Sequence, residues 1–168
     1  MNSHSIDVTD DVMMLESLAA RVGRPLGTSQ WRIVSQLEAD IHSSLMGDYD
    51  PMHDDPSWGE RVGLGGAVAT GSFVLDLLAA FLREYGLPTT STERLLWYPV
   101  RLGKIRLPAP LPIGHRFRDH CDLIAVERDP ADRYIVTTRH VVEIEGSERP
   151  YITVSSFVSA YTVMPEVT

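Results

Sequence analysis

Residues 72–85 read SFVLDLLAAFLREY, and this stretch is apolar on almost every side until Arg83. A helix on a protein surface keeps a polar face, so this one should be covered by other structure. Asp76 is the exception within it, either a buried functional acid or a residue that faces solvent or a sheet edge. The stretch therefore predicts a long helix enclosed by the rest of the chain.

Four strand-like runs after this helix can supply the cover. Clusters of Pro, Gly and Asp separate the runs, which span residues 94–107, 115–127, 133–145 and 150–163. Between Tyr151 and Tyr161 we expect strict alternation, with odd-numbered residues on one face and even-numbered residues on the other. Helices followed by an antiparallel sheet give an α+β class, and one apolar helix lying against a curved sheet predicts a hotdog fold.

Two shorter helices are predicted before the central one. Residues 11–22 have an apolar face at helical spacing and form a helical extension over about residues 10–23. A second helix spans roughly residues 36–46, with Leu37, Ile41 and Leu45 as its apolar face, and ends at Gly47. Since no linker or repeat interrupts the chain, we expect residues 1–168 to form a single domain.

The composition limits the classes of function. The 168 residues carry a net charge of -8, and their 15 Lys and Arg residues form no dense basic run, which argues against a nucleic-acid partner. We expect a cytoplasmic protein with no membrane partner, because neither a signal peptide nor an apolar run of about 18 residues is present. The single Cys121 excludes an internal disulfide, and we interpret it as a small core residue rather than a thiol nucleophile.

The candidate chemistry lies in residues 47–71, GDYDPMHDDPSWGERVGLGGAVATG. Asp48 and His53 lie five residues apart in a Pro-bearing loop just before the central helix. Imidazole exchanges protons near neutral pH and a carboxylate can orient the same water molecule, so the pair is a candidate acid/base dyad. Calcium is not expected, because His53 stands where an EF-hand loop requires Gly. The plainer alternative is that Asp48 ends a helix and His53 caps a turn.

Four segments resemble, in order and spacing, the MaoC-like dehydratases, the hotdog family that includes (R)-specific enoyl-CoA hydratases. They are LGTSQWRIVSQ, GDYDPMHDDP, GGAVATGSFVLDLL and KIRLPAPLPIGHRFR, and the resemblance covers about residues 25–161. It implies that Asp48 and His53 are catalytic and that the backbone N–H of Gly71 polarises the substrate carbonyl. It also implies an enzyme without metal or redox cofactor, which forms a homodimer through its sheet edges.

By the same resemblance, the expected function is that of a hydro-lyase. Such an enzyme adds or removes water at the β-carbon of an acyl thioester, whose acyl group is carried by CoA or by an acyl carrier. The reaction needs a base for water, an acid for the α-carbon, and donors for the enolate oxygen. A dyad beside a helix N-terminus can supply all three.

Two residues depart from the family pattern. Thr70 precedes Gly71 where the family usually has His, and Asp50 stands where Asn or Gln is usual. Thr70 can hydrogen-bond but cannot titrate, and Asp50 would favour a protonated His53 if its carboxylate is close. Two alternatives therefore stay open: a dehydratase or isomerase of a specialised intermediate, polyketide-like, carrier-bound or free, and a catalytically silent acyl-binding subunit. Chain length, direction and stereochemistry are not determined by the sequence.

Overall fold

A central helix lies against a seven-stranded antiparallel sheet in the computed structural model, which describes residues 8–164. The α-helices are α1 (Val8–Leu18), α2 (Gln36–Met46), α3 (Pro51–Asp54), α4 (Pro56–Arg61) and α5 (Phe73–Glu84), and a 3₁₀ turn, Ala19–Arg21, continues α1. The strands are β1 (Pro25–Thr28), β2 (Arg32–Ile33), β3 (Leu95–Leu102), β4 (Ile105–Arg106), β5 (Arg116–Arg128), β6 (Tyr134–Ile144) and β7 (Ile152–Val163). None of the helices among these residues is long and apolar enough to cross a membrane.

The sheet has the strand order β1-β5-β6-β7-β3, with β2 also paired to β5 and β4 also paired to β7. Every pairing is antiparallel. The three long strands β5, β6 and β7 follow one another in the chain and lie side by side, while β3 and the short β1 form the edges. The predicted α+β class and the four predicted strand runs are confirmed. The assignment of residues 1–168 to one domain stays a prediction.

Helix α5 provides the centre of the core. Val74, Leu78 and Phe81 are fully buried and belong to the same apolar cluster as Phe117 and Phe157 of the sheet. Burying a side chain of this size stabilises the fold by about 1.5–3 kcal/mol. The prediction that other structure covers this helix is confirmed. Asp76, by contrast, lies on its exposed side, so the solvent-facing alternative for this acid is the one observed.

Strict alternation along β7 is wrong. His140 pairs with Val154, and Thr138 pairs with Phe157, so one residue of β6 faces two residues of β7, Ser155 and Ser156. This is a β-bulge, and the extra residue reverses which side chains point into the core. Even-numbered Val154 is in the core before the bulge, and odd-numbered Phe157 is in the core after it.

Helix α2 has its predicted bounds, but it packs against the protein through the face opposite to the predicted one. It begins after a capping box made by Ser35 and Glu38 and ends at Gly47, whose φ of 67° is a left-handed conformation that glycine adopts at little cost. The predicted apolar face is exposed, with Leu45 at 79%. The small residues Ala39 and Ser43 are buried instead. These small side chains let α2 pack closely against the rest of the protein. The polar side chains on this face of the helix then point toward the segment that follows it.

The first helix also differs from its prediction. It ends at Leu18, and the 3₁₀ turn replaces the last predicted turn. Leu15 and Leu18 are buried as expected, whereas Val22 is exposed. The start of the predicted extension at about residue 10 differs only slightly from the observed start at Val8.

Candidate active site

Two helix ends bring Asp48 and His53 together. Asp48 directly follows the Gly47 cap of α2, and its N–H donates to the Ser43 carbonyl at 2.9 Å. His53 lies in the short helix α3, whose N-cap is Asp50, so the prediction that both residues lie in a loop is correct only for Asp48. The His53 Nε2 atom is 3.6 Å from the Asp48 Oδ2 atom. The imidazole is buried, but the Asp48 side chain is 48% exposed, so the pair lies at the protein surface with one member accessible.

The other ring nitrogen of His53 is already bound. Its Nδ1 atom lies 2.8 Å from the Val68 carbonyl oxygen. A carbonyl can only accept, so Nδ1 carries the hydrogen and, in the neutral ring, the lone pair of Nε2 points toward Asp48. The 3.6 Å separation is too long for a direct hydrogen bond. It is a distance that one water molecule can bridge.

Three further contacts hold α3 in place. The Val68 N–H donates to the Met52 carbonyl at 2.9 Å, and the Gln36 side-chain amide donates to the His53 carbonyl at 2.9 Å. Asp50 accepts from the Met52 N–H at 3.0 Å. Helix α3 is thereby tied both to α2 and to the segment that leads into α5. The position of the imidazole is set by its backbone as well as by its ring.

Asp50 has a capping role in this structure. Its carboxylate is exposed and serves the N-terminus of α3. The Asp50 backbone carbonyl accepts from the His53 N–H at 2.9 Å, but among residues 8–164 the Asp50 carboxylate makes no hydrogen bond or ion pair with the His53 ring. The predicted effect of Asp50 on the charge of His53 stays a prediction, and the structure provides no contact that supports it.

The Thr70–Gly71 peptide is fixed just ahead of α5. The Thr70 carbonyl accepts from the Tyr151 hydroxyl at 2.6 Å and from the Phe73 N–H at 3.1 Å. Burial raises the pKa of the Tyr151 hydroxyl, so it stays protonated and remains a donor. In a planar trans peptide the carbonyl and the next N–H point in opposite directions. The Gly71 N–H is therefore aimed by the bonds on Thr70, and it donates to no carbonyl or side chain of the described chain.

The Thr70 side chain is bound by a histidine from α2. The Thr70 hydroxyl lies 2.7 Å from His42 Nδ1, and His42 Nε2 lies 2.9 Å from an Asp76 carboxylate oxygen. The carboxylate accepts from Nε2–H, so in the neutral ring Nδ1 accepts from the Thr70 hydroxyl. An imidazole thus lies beside position 70 although the residue there is Thr.

Sequence analysis missed His42 and Tyr151. His42 lies on the helix face that was predicted to be exposed, and the spacing of Gln36, Ala39 and Ser43 is the only sequence signal for that face. Tyr151 had no local signal, because it lies just before β7 and reaches Thr70 from 81 residues later in the chain.

A second cluster of potential ligands lies within the sheet. Atoms of Asp119, Cys121 and His140 that could bind a metal are within 4.8 Å of one another, and all three residues are buried. Both ring nitrogens of His140 have partners, however, at 2.8 Å from Asp119 and 2.9 Å from Thr138. Burial, and next the Asp119 charge, raises the pKa of the Cys121 thiol, which disfavours the thiolate that metals bind. We therefore describe the cluster as a polar network of the core, which agrees with the interpretation of Cys121 as a core residue.

Comparison with known proteins identifies the family. The chain is 31% identical over 141 residues to a 3-hydroxyacyl-thioester dehydratase Z of Mycobacterium tuberculosis, covering 84% of this chain and 91% of that relative. The chain belongs to the MaoC-like dehydratase family. A MaoC-like dehydratase from Rhodospirillum rubrum has the same fold, with a TM-score of 0.65 at 21% identity over 90% of this chain and 98% of that one.

Another structural neighbour is a C-terminally truncated (3R)-hydroxyacyl-ACP dehydratase complex from Mycobacterium tuberculosis. Its TM-score is 0.61 at 15% identity, over 79% of this chain and 90% of that chain. No protein-family model matches the chain. The resemblance inferred from the loop and the central helix is confirmed, and the protein is a MaoC-like hydratase/dehydratase with a hotdog fold.

Proposed function

We propose that this chain catalyses addition or removal of water at the β-carbon of an acyl thioester, with Asp48 and His53 as the acid/base dyad and the Gly71 N–H as oxyanion donor. The observation that carries the proposal is the arrangement of His53. Its Nδ1 is bound to Val68 and its Nε2 lies 3.6 Å from a half-exposed carboxylate. A relative that is a 3-hydroxyacyl-thioester dehydratase supports the same reaction class.

In the hydration direction, a water molecule binds between His53 Nε2 and Asp48. His53 accepts one proton as the water oxygen bonds to the β-carbon, and the double-bond electrons move to give an enolate on the thioester oxygen. The Gly71 N–H, at the positive end of α5, stabilises that charge. The proton held by the dyad then passes to the α-carbon. Dehydration is the reverse: the α-proton is removed, and the β-hydroxyl leaves as water.

The exposed edge of the sheet indicates how the protein associates. Strand β3 is an edge strand with exposed apolar residues, Leu96, Val100 and Leu102. An unpaired edge of this kind is a template for pairing with another strand. We propose a homodimer joined at this edge, and one structural neighbour is itself a dehydratase complex. We also propose a cytoplasmic location.

Hydration of crotonyl-CoA and of a longer trans-2-enoyl-CoA tests the reaction, followed as loss of enoyl-thioester absorbance. Asp48→Asn and His53→Ala should each lower kcat/KM by about 10²- to 10⁴-fold, the usual range for loss of a general acid or base. His115→Ala, which removes an exposed histidine, is the matched control and should keep parental activity.

Full turnover by His53→Ala would overturn the dyad. A folded parent that hydrates neither thioester would instead favour a specialised intermediate or a silent acyl-binding subunit. Circular dichroism of each variant separates loss of chemistry from loss of folding.

A further inference from the structure

The basic residues of this acidic chain are unevenly distributed. Residues 94–118 contain six of the 15 Lys and Arg residues and none of the 23 Asp and Glu residues. The stretch includes Lys104, the only lysine of the protein. A concentration of one charge sign in a chain of net charge -8 creates a local field that attracts anions. The number of cations is too small for a nucleic-acid footprint but sufficient for a single phosphate group.

The fold brings three of the cations to one pocket. Arg106 lies in the short strand β4, and Lys104 lies just before it. Together with Arg139 of β6 they line a cavity of about 260 Å³. Between them lies β7, where Thr153 pairs with Arg106 on one side and with Val141 on the other. Thr153 and Ser155 add two hydroxyl groups to the lining, and no acidic residue lines the cavity.

The positive charge of this pocket is only partly neutralised. Arg139 donates to the Asp122 carboxylate at 2.7 Å. Neither Lys104 nor Arg106 has an acidic partner in the part of the chain that the structure describes. Two cations without counter-charges and two hydroxyl donors form a suitable environment for a phosphate, which accepts several charge-assisted hydrogen bonds at once.

The pocket is connected to the candidate active site by one residue. Leu107 follows Arg106, and its Cδ1 atom would lie 3.4 Å from a Cβ placed on Gly71. Side chains alternate along a strand, so Arg106 faces the outer side of the sheet while Leu107 faces Gly71. A thioester whose carbonyl is bound at Gly71 would therefore extend its carrier arm past the β4 edge toward the cations.

We propose that Lys104, Arg106 and Arg139 bind a phosphate group of the carrier to which the acyl thioester is attached. This inference rests on the proposed function, since it takes the carbonyl of the thioester to lie at Gly71. Two phosphates have the same chemistry: the 3′-phosphate found only in CoA, and the phosphate at the end of the pantetheine arm, which CoA shares with an acyl carrier protein. The test has to separate these two sources.

Binding is measured first, because it does not require turnover. Calorimetry with CoA, dephospho-CoA and 4′-phosphopantetheine compares the parent with Lys104→Gln, Arg106→Gln and the double variant. Each single change should raise the Kd for CoA about tenfold, the loss expected for one charge-assisted hydrogen bond. Arg24→Gln, which removes an exposed cation just before β1 at the opposite edge of the sheet, is the matched control and should leave the Kd unchanged.

The three ligands identify the phosphate. If CoA binds more tightly than dephospho-CoA and the difference disappears in the double variant, the pocket binds the 3′-phosphate. If 4′-phosphopantetheine loses affinity in the double variant as much as CoA does, the pocket binds the phosphate shared with acyl carriers. Equal affinity of parent and double variant for all three ligands would overturn the proposal, as would parental binding that does not weaken with added salt.

Kinetics separate this inference from the proposed function. The parent should hydrate crotonyl-CoA with a kcat/KM about tenfold or more above that for crotonyl-pantetheine, and the double variant should lose most of that ratio. His53→Ala should still bind CoA with parental affinity. Binding without any hydration by the parent would contradict the reaction and support the phosphate pocket, whereas hydration with no carrier preference would contradict the pocket alone.

Discussion

The chain contains two histidine–aspartate pairs that differ in almost every physical respect. His53 and Asp48 are 3.6 Å apart, one ring nitrogen has no hydrogen-bond partner among the described residues, and the carboxylate is half exposed. His140 and Asp119 are 2.8 Å apart, and both side chains are completely buried. An open pair can take up a water molecule and a proton. A pair that is closed to solvent holds strands together instead, although Asp119 Oδ1 has no hydrogen-bond partner among the described residues.

The parts of the structure that hold the two pairs in place also differ. Asp119 also accepts from the Tyr85 hydroxyl at 3.0 Å, so the buried pair connects the central helix with β5 and β6. The open pair depends on two helix ends, the Gly47 cap of α2 and the Asp50 cap of α3. Helix ends are easily displaced by local changes, while a network inside the sheet is displaced only when the core is disrupted.

The largest expected effect comes from breaking the buried pair. His140→Ala should lower the free energy of unfolding by about 3–5 kcal/mol, because it leaves the Asp119 carboxylate buried without its imidazole partner. His53→Ala should cost much less stability, since Asp48 can be hydrated. Urea denaturation of both variants measures the difference. His140→Gln, which can keep a donor for Asp119, should be intermediate, and equal losses at the two histidines would contradict this distinction.

A smaller effect is expected on the oxyanion side of the open pair. Tyr151→Phe removes one hydroxyl that holds the Thr70 carbonyl, and the Phe73 N–H remains. We expect kcat for crotonyl-CoA to fall about fivefold with little change in KM, because about 1 kcal/mol of positioning energy is lost at the transition state. Tyr161→Phe is the control, since this buried tyrosine of β7 makes no hydrogen bond to Thr70. Parental kcat in Tyr151→Phe would mean that the Gly71 N–H is aimed by other contacts.

The smallest effect concerns the N-terminal end of α2, the helix that precedes Asp48. Ser35→Ala removes the hydroxyl that accepts from the Glu38 N–H and should cost about 1 kcal/mol of stability. The hydrogen bond from the Ser35 N–H holds the pKa of Glu38 below its ordinary value, with the Ser35 hydroxyl adding to the effect. The stabilisation by Glu38 is therefore complete above the ordinary Glu pKa and is lost as the pH falls through the lowered pKa of the folded state.

This pH dependence can be measured by urea denaturation. The stability difference between the parent and Glu38→Gln should be greatest near neutral pH and should shrink toward acid. A difference that is the same at all pH values would show that the carboxylate charge does not contribute to the cap.

Prediction from sequence succeeded where the signal was local. The central helix, the four strand runs and the bounds of α2 are all confirmed, because apolar periodicity and a terminal glycine act over a few residues. The face of α2 was predicted wrongly, since helical periodicity treats Leu37 and Ile41 as core residues whatever the helix packs against. The bulge at Ser155 and Ser156 was also missed, because only the pairing with β6 creates it.

The candidate site divides in the same way. Asp48, His53 and Gly71 could be proposed from one segment and its resemblance to a family, since all three lie within 25 residues of chain. His42, Tyr151 and the pocket around Arg106 could not. Each depends on contacts between segments far apart in the sequence.

The sequence by itself determined that an apolar helix would be enclosed by an antiparallel sheet, and that an acid and a histidine would lie a few residues apart in the segment ahead of that helix. Burial of apolar surface has no direction, so it specifies which segments come together more readily than how each one is rotated. Hydrogen bonds depend on distance and angle, and only the tertiary structure meets those conditions. It decided that one His–Asp pair is open, that the other is closed, and that Thr70 is held by a histidine from another helix.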